Sequence, residues 1–179
     1  MNEMNTEILI AGFGGQGILF AGKFLAYEGL IEGRELSWLP SYGPEMRGGT
    51  CNCSVTVSDD PIGSPLILEP TQLLVMNTPS FDKFIGTVKT GGMAFVDSTL
   101  VEGSTDRTDI KCFYVPATGL ATENNLKGMA NIILTGKLLK ECGLADEAVI
   151  EKAIKKVIPP KKADLTEANL TALKLGLNY

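Results

Sequence analysis

Residues 6–17, with the sequence TEILIAGFGGQG, contain the signal that decides the fold. The run 6–11 is short, apolar and rich in β-branched side chains, and it stops at a glycine, which is typical of a buried strand. The glycines that follow fit the pattern G-x-G-x-x-G, and from Ile18 apolar residues recur at helical spacing as far as Gly29. The stretch therefore predicts a strand, a glycine-rich turn and a helix over about 16–28.

The alternation of strands and helices continues along the chain. Apolar runs bounded by turn residues predict strands at 35–39, 50–57, 72–76, 93–96 and 110–115. Thr78 is predicted to cap a helix that runs to 87 with Pro79 in its first turn, and later helices are predicted at 117–124, 129–141, 146–157 and 165–175. Segment 40–49, with two prolines and three glycines, is predicted to be a loop. These elements predict one α/β domain over residues 1–179, with a mostly parallel, Rossmann-like sheet, helices on both faces and a helical C-terminal segment.

Composition argues against several classes of function. Sixteen basic and 21 acidic residues give a net charge of -5, so no positive field attracts nucleic acid or anionic lipid. Gln16 and Lys23 interrupt the most apolar stretch, and Glu3 and Glu7 precede it where a secretory signal carries basic residues, so we expect a cytoplasmic protein with no membrane partner. The chain has four cysteines without C-x-x-C spacing and no histidine, so we predict neither a metal site nor a catalytic residue here.

The glycine turn has more than one interpretation. A nicotinamide site also needs an acid at the end of the second strand, where Leu39, Pro40 and Ser41 stand. A match to G-x-x-x-x-G-K at 17–23 has Phe24 where a phosphate-binding loop needs Ser or Thr. The glycines either permit just a tight turn and close helix packing, or they contact a phosphate-bearing ligand or a neighbouring chain. Gln16 favours contact, because its amide needs a hydrogen-bond partner if another chain buries it.

Two segments together resemble one known family. GFGGQG at 12–17 and SYGPEMRGGT at 41–50 resemble the gamma subunits of 2-oxoacid:ferredoxin oxidoreductases, especially the 2-oxoglutarate and branched-chain types. The likeness continues through VPAT at 115–118 and NLTALK at 169–174, so it covers essentially the whole chain.

The resemblance implies a division of labour between subunits. Complexes of this family oxidatively decarboxylate a 2-oxoacid, transfer the acyl group to coenzyme A and pass electrons to ferredoxin. This chain lacks the G-D-G signature for thiamine diphosphate and the cysteine spacing of an iron–sulfur cluster, so we expect other subunits to hold both cofactors. We therefore expect the isolated chain to bind no cofactor and to be inactive. The implied partners are alpha, beta and ferredoxin-like delta subunits, with ferredoxin itself reached indirectly.

The predicted contact residues lie in the two motifs. Segment 45–47 offers an acid, an adaptable apolar side chain and a bidentate cation between glycines, which suits a subunit seam. The resemblance implies that this seam lies near the coenzyme A and thiamine region. The predicted set, assigned either to the interface or to coenzyme A contacts, is Gly14, Gly15, Gln16, Gly17, Glu45, Met46, Arg47 and Gly48. Arg47 has the alternative role of capping its own turn.

Two rival functions stay open. A free-standing dinucleotide-binding oxidoreductase would carry bound NAD or FAD, although the ribose acid is missing. A flavodoxin-like carrier would need hydroxyl groups in the first loop, where Phe13 and Gln16 stand instead.

Overall fold

The computed structural model describes residues 5–42, 50–144 and 146–179. Its strands are β1 (Asn5–Phe13), β2 (Glu35–Tyr42), β3 (Thr50–Ser58), β4 (Gln72–Val75), β5 (Met93–Asp97) and β6 (Lys111–Val115). They form one six-stranded sheet in the order β2-β3-β1-β4-β5-β6. The α/β fold predicted from the sequence is confirmed.

The sheet is mixed, with one reversed strand among those described. β1, β4, β5 and β6 pair in parallel, whereas β3 runs antiparallel to both β1 and β2. The short connection 43–49 explains the reversal, because antiparallel neighbours can be joined by a short link, whereas parallel ones need a crossover of about a dozen residues or more. The mostly parallel sheet is confirmed, but its order differs from that of a dinucleotide-binding domain, in which the second strand lies beside the first.

Helices cover the two faces of the sheet unequally. They are α1 (Ile18–Ile31), α2 (Thr78–Phe84), α3 (Ala117–Glu123), α4 (Ala130–Cys142), α5 (Glu147–Val157) and α6 (Leu165–Asn178), with 3₁₀ turns at Ile85–Thr87 and Pro160–Lys162. The larger core lies between the sheet and α1, α3, α4, α5 and α6. On the other face α2, the turn after it and the coil before β6 cover a smaller core.

Glycines set the distance between elements on the larger face. A Cβ atom on Gly29 of α1 would lie 2.8 Å from Cγ1 of Val57, and one on Gly22 would collide with the thiol of Cys53, so α1 lies almost directly on β3. In the crossing of α4 and α6, a Cβ on Gly136 would collide with the carbonyl oxygen of Leu173, and Gly176 has even less room. The packing of α1 on β3 and the crossing of α4 and α6 therefore both depend on glycine having no side chain.

Two local predictions were wrong. β2 continues through Pro40 and Ser41 instead of ending before them, because β2 is an edge strand and tolerates a residue without an N–H. The cap of α2 is Asn77 rather than Thr78, since the Asn77 side chain accepts a hydrogen bond of 2.8 Å from the backbone N–H of Ser80. The alternation predicted for 50–57 is confirmed, because Cys51, Cys53, Val55 and Val57 all face the larger core.

Candidate functional site

The glycine turn lies at the carboxyl ends of β1 and β4. Gly15 and Gly17 have φ angles of 98° and 75°, in the left-handed region that favours glycine. Gly17 precedes the first residue of α1 and occupies its N-cap position. The strand, turn and helix predicted for this stretch are thus confirmed. The left-handed backbone explains Gly15 and Gly17, of which only Gly17 belongs to the G-x-G-x-x-G pattern.

Both polar atoms of the Gln16 side chain are hydrogen-bonded within the chain. Its Oε1 accepts a hydrogen bond of 2.6 Å from the N–H of Phe13, and its Nε2 donates one of 2.8 Å to the carbonyl of Met76. The N–H of Met76 in turn donates to the carbonyl of Ala11. Gln16 therefore ties the turn to the end of β4, so its polarity has an explanation that needs no neighbouring chain. A Cβ on Gly12 would lie 2.6 Å from Gln16 Oε1, which accounts for that glycine.

Asn131, in the first turn of α4, holds the start of α1. Its Nδ2 donates a hydrogen bond of 2.9 Å to the carbonyl of Gly17, and a Cβ on Gly17 would lie 2.5 Å from that nitrogen. Asn131 is 3% exposed, yet its Oδ1 has no hydrogen-bond partner among the described residues. One end of this side chain is therefore structural, and the other is a buried acceptor without a donor.

The second predicted motif lies mostly outside the described residues. Glu45, Met46, Arg47 and Gly48 fall within 43–49, so their roles stay a prediction. The residues that flank this segment are described: Tyr42 pairs with Cys51, and Thr50 pairs with Phe13 at the end of β1. The two residues that flank the segment therefore lie at the same end of the strands as the glycine turn.

A groove of ≈ 460 Å³ opens beside the glycine turn, between α1, the start of α4, and the chain from α5 to α6. Such a volume lies within the usual range for small-molecule sites. Its apolar lining is Phe20, Met129, Ile132, Val157, Ile158, Pro159 and Leu165, and Gly17, Gly128, Asn131 and Asn169 add polar or backbone surface. A smaller pocket of ≈ 240 Å³, lined by Gly15 and Gln16 among others, shares Lys127 and Gly128 with it.

The groove is positively charged in a chain that is negative overall. Lys23, Lys127 and Lys162 line it, and no acidic side chain of the described residues does. None of the three lysines forms an ion pair with another described residue. The starts of α1 and α4 also meet there, and both helices lack a side-chain cap and an acidic residue in the first turn. Because helix starts carry partial positive charge, the three lysines and the two helix starts all favour the binding of an anion.

Sequence reasoning did not find this groove. In the sequence Lys23 is notable only as a break in the most apolar stretch and as the last residue of the discarded phosphate-loop match, and no pattern singles out Lys127 or Lys162. The three lysines come from α1, the α3–α4 connection and the turn before α6, so their spacing carries no pattern. Their convergence is a product of the fold.

A buried acid lies at the other end of α1. Glu28 is 0% exposed, and neither carboxylate oxygen has a hydrogen-bond partner among the described residues. Burial, reinforced by the nearby charges of Glu32 and Asp146 and opposed by Arg34, raises the pKa of Glu28 to about 7. Its position far along α1 from the glycine turn separates it from the groove.

A second buried acid has a structural role. Asp97, at the end of β5, accepts hydrogen bonds from the N–H groups of Thr99 and Thr118 and from the Thr118 hydroxyl. It is 0% exposed and fixes the start of α3 against the sheet. Its oxygens are satisfied, so it is not a candidate for chemistry.

The order of the strands weakens the dinucleotide alternative. In that class the acid that binds the ribose stands at the end of the strand next to β1, whereas here β3 separates β2 from β1. β2 ends in the Leu-Pro-Ser-Tyr sequence without an acid.

The described residues also contain no helix long and apolar enough to cross a membrane.

Fold and site together define a Rossmann-like α/β domain whose glycine turn adjoins a lysine-lined groove. The family model described as pyruvate ferredoxin/flavodoxin oxidoreductase matches residues 7–179, and the chain belongs to that family. The family predicted from the two motifs is thereby confirmed.

Individual relatives agree with this assignment. The 2-oxoglutarate synthase subunit KorC of Methanocaldococcus jannaschii is 36% identical over 179 residues, which cover 97% of this chain and 93% of KorC. The ketoisovalerate oxidoreductase subunit VorA of Methanothermobacter thermautotrophicus is 37% identical over 97% of this chain, but the chain spans 36% of VorA's length. The crystal structure of a keto/oxoacid ferredoxin oxidoreductase gamma subunit from Geobacter sulfurreducens superposes with a TM-score of 0.83 at 28% identity, covering 98% of this chain and 95% of that one.

Proposed function

We propose that this chain is the gamma subunit of a 2-oxoacid:ferredoxin oxidoreductase. The assembled enzyme converts a 2-oxoacid, coenzyme A and two oxidised ferredoxins into an acyl-coenzyme A, carbon dioxide, a proton and two reduced ferredoxins. The observation that carries the proposal is the similarity of this chain to KorC and to the Geobacter sulfurreducens gamma subunit. In each comparison the similarity covers nearly the full length of both chains. The substrate is 2-oxoglutarate or a branched-chain 2-oxoacid, since KorC and VorA are almost equally similar.

The donor groups of this chain do not suit an iron–sulfur cluster. A cluster needs several cysteine thiolates around one site. Cys51 and Cys53 lie buried on one strand, and burial raises the pKa of Cys53 to about 12, which disfavours the thiolate. No group of three or more potential metal ligands occurs among residues 5–42, 50–144 and 146–179. We therefore propose that the alpha, beta and delta partners hold the clusters, and that they also hold thiamine diphosphate, whose G-D-G signature this chain lacks.

This chain contributes a surface that contacts a partner subunit or coenzyme A. The glycine turn and the residues that flank segment 43–49 lie at the same end of the sheet. This supports the proposal that Gly14 to Gly17 and the set Glu45, Met46, Arg47 and Gly48 contact a partner subunit or coenzyme A. Gln16 stabilises the turn from within. Arg47 is the group suited to bidentate binding of a carboxylate or a phosphate.

Affinity purification of the tagged chain from its source cell tests the assembly. We expect thiamine-binding and ferredoxin-like chains to copurify in fixed ratio, and recovery of the chain alone would contradict the proposal. Replacing Arg47 with Ala should then raise the KM for coenzyme A or weaken assembly, whereas Lys152→Ala, at an exposed position of α5, should do neither. An Arg47→Ala complex with unchanged assembly and coenzyme A dependence would remove Arg47 from the contact face.

A further inference from the structure

A second pocket lies at the other end of β1 from the glycine turn. It has a volume of ≈ 380 Å³ and is formed by the start of β1, the end of β3 and the connection from β3 to β4. We call it the acidic pocket. No residue of β2 or β3 belongs to the smaller core, so that core does not extend over this part of the sheet.

Two pairs of neighbouring polar residues form the floor of the acidic pocket. Glu7 lies directly opposite Thr56, and Asn5 lies directly opposite Ser58 in the antiparallel pairing of β1 with β3. Both neighbours of Thr56 along β3 face the larger core, so its own side chain points to the side of the pocket. Directly opposed residues interact across the strands, so these four side chains form one polar surface.

Thr56 has an unsatisfied hydroxyl group in this floor. It is 4% exposed, and its Oγ1 has no hydrogen-bond partner among the described residues. Ser58 differs, because its Oγ accepts a hydrogen bond of 3.1 Å from the N–H of Asp60. A buried hydroxyl without a partner lowers stability, so a group that enters the pocket and bonds to Thr56 removes that cost.

The charge of the acidic pocket is negative. The carboxylates of Glu7 and Asp60 line it, and no basic side chain of the described residues does. Neither carboxylate forms an ion pair with another described residue. Residues 5–42, 50–144 and 146–179 contain no group of three or more potential metal ligands, so an organic cation suits the pocket better than a metal ion.

The arrangement favours a guanidinium group among organic cations. Its five N–H donors lie in one plane and can bond to several acceptors at once, here two carboxylates and a hydroxyl group. Pro61, Ile62 and Leu66 add apolar walls that can cover the aliphatic stem of an arginine.

Exposed leucines beside the pocket indicate that the arginine belongs to a protein. Leu66, which lines the pocket, is 67% exposed, and Leu68 is 83% exposed. They are the two most exposed large apolar side chains among the described residues. Neighbouring apolar side chains of this kind mark surfaces that other chains cover.

We propose that the acidic pocket binds an arginine side chain of a partner subunit. The carboxylates of Glu7 and Asp60 and the hydroxyl of Thr56 accept hydrogen bonds from the guanidinium group, and the exposed leucines pack against the partner beside it. The inference rests on the proposed function and adds a contact at the amino end of β1, away from the glycine turn.

An arginine probe tests the pocket on the purified full chain. N-acetyl-arginine amide and its neutral analogue N-acetyl-citrulline amide are titrated while backbone NMR signals are recorded. We expect saturable shifts in residues 5–7 and 56–64 with the arginine probe, and binding of the citrulline probe at least about tenfold weaker, because charge-assisted hydrogen bonds are the stronger ones. Absence of saturable shifts in these segments, or equal binding of the two probes, would overturn the pocket.

Assembly tests the partner. The chain is titrated into the complex that lacks it, and the concentration for half-saturation is measured. Replacing Glu7 with Gln and Asp60 with Asn should raise that concentration about tenfold or more, because the arginine of the partner is then buried without its counter-charge. The control replaces Glu102 with Gln and Asp106 with Asn, at exposed positions outside the pocket, and should change it within about twofold.

The outcomes separate the pocket from the proposed function. Equal effects of the two variants would refute the arginine contact and leave the proposed function standing. Failure of the unaltered chain to bind the incomplete complex would contradict the proposed function, and the probe titration would then decide whether the pocket binds a guanidinium group.

Thr56→Val distinguishes a docking role from a structural one. Valine has a similar shape without the hydroxyl, so the thermal unfolding midpoint of the free chain should rise by about 2–4 °C as the unsatisfied group is removed. The same variant should raise the concentration for half-saturation of the complex about threefold or more, since the guanidinium loses an acceptor. A lowered midpoint, or unchanged assembly, would contradict the role given to the Thr56 hydroxyl.

Discussion

The crossing of α4 and α6 and the surroundings of α1 both rely on glycine, but they differ in how completely their polar groups are satisfied. In the α4–α6 crossing, Gly136 and Gly176 bring backbone against backbone. The buried polar side chains there are paired: the Thr135 hydroxyl donates to the carbonyl of Asn131, and the Asn169 amide donates to that of Leu165. This region therefore serves stability.

The surroundings of α1 keep buried polar atoms without partners. Both oxygens of Glu28 and Oδ1 of Asn131 lack hydrogen bonds among the described residues. The glycine turn and the lysine-lined groove are at the start of the same helix. Unsatisfied buried groups lower stability, so we expect this side of the molecule, rather than the α4–α6 crossing, to carry the contacts of the proposed subunit.

The largest expected effect comes from closing the α4–α6 crossing. In Gly176→Val, the new Cβ collides with the carbonyl of Ile133, which belongs to backbone and cannot move aside as a flexible side chain can. We expect a loss of roughly 4 kcal/mol or more in unfolding free energy, above the usual cost of overpacking. Denaturant unfolding measures it. Gly86→Val is the control, because a Cβ there meets nothing within 4 Å, and equal losses in the two variants would refute the close crossing.

Glu28 should make the surroundings of α1 sensitive to pH. Its folded pKa of about 7 lies above the ordinary value of 4.5, so the folded chain binds the proton more tightly than the unfolded chain does. The contribution of the Glu28 proton to the free energy of unfolding is therefore fully present below about pH 4.5. It is lost as the pH rises through 7, which lowers the free energy of unfolding by about 3 kcal/mol at most.

Replacement with Gln isolates this contribution. Glu28→Gln should remove that loss and be more stable than the parent chain at pH 8, as measured by denaturant unfolding across pH. Glu102→Gln, at an exposed position, serves as the control and should follow the parent curve. If the Glu28→Gln curve also follows the parent, the Glu28 carboxylate has a hydrogen-bond partner in solution and the expected pH dependence is contradicted.

A smaller effect is expected at the glycine turn. Gly17→Ala forces a φ of 75° on a side chain and displaces Asn131, so we expect a loss of about 2–3 kcal/mol, the sum of left-handed strain and a lost hydrogen bond. Gly33→Ala has a similar φ of 78° with open space around it and should lose about 1–2 kcal/mol from strain alone. Thermal unfolding distinguishes them, and identical losses would mean that Asn131 does not hold the turn.

The sequence predicted the elements well because periodicity and glycine placement act locally. The run 6–11, the turn and α1 form as predicted, and the alternation at 50–57 identified the buried face of β3. Alternation carries no information on strand direction, so the reversal of β3 was not foreseen. Glu28 could have been found, since it follows the buried Phe24 by four residues and so lies on the same face of α1.

The site was predicted less completely than the fold. The glycine turn was chosen correctly as a special backbone, but its Gln16 proved to be bonded within the chain. Lys23, Lys127 and Lys162 line one groove only after α1, the α3–α4 connection and the α5–α6 connection have packed. Long-range convergence of this kind depends on tertiary packing, which a single sequence does not encode in any local pattern.

The most direct test of the central claim is an omission assay. The complex is assembled from its other subunits without this chain, and 2-oxoacid-dependent, coenzyme A-dependent reduction of ferredoxin is measured before and after the chain is added back. We predict that the chain alone has no turnover, that the incomplete complex is impaired, and that addition restores the rate. Turnover by the isolated chain, or full activity of the complex without it, would contradict the account.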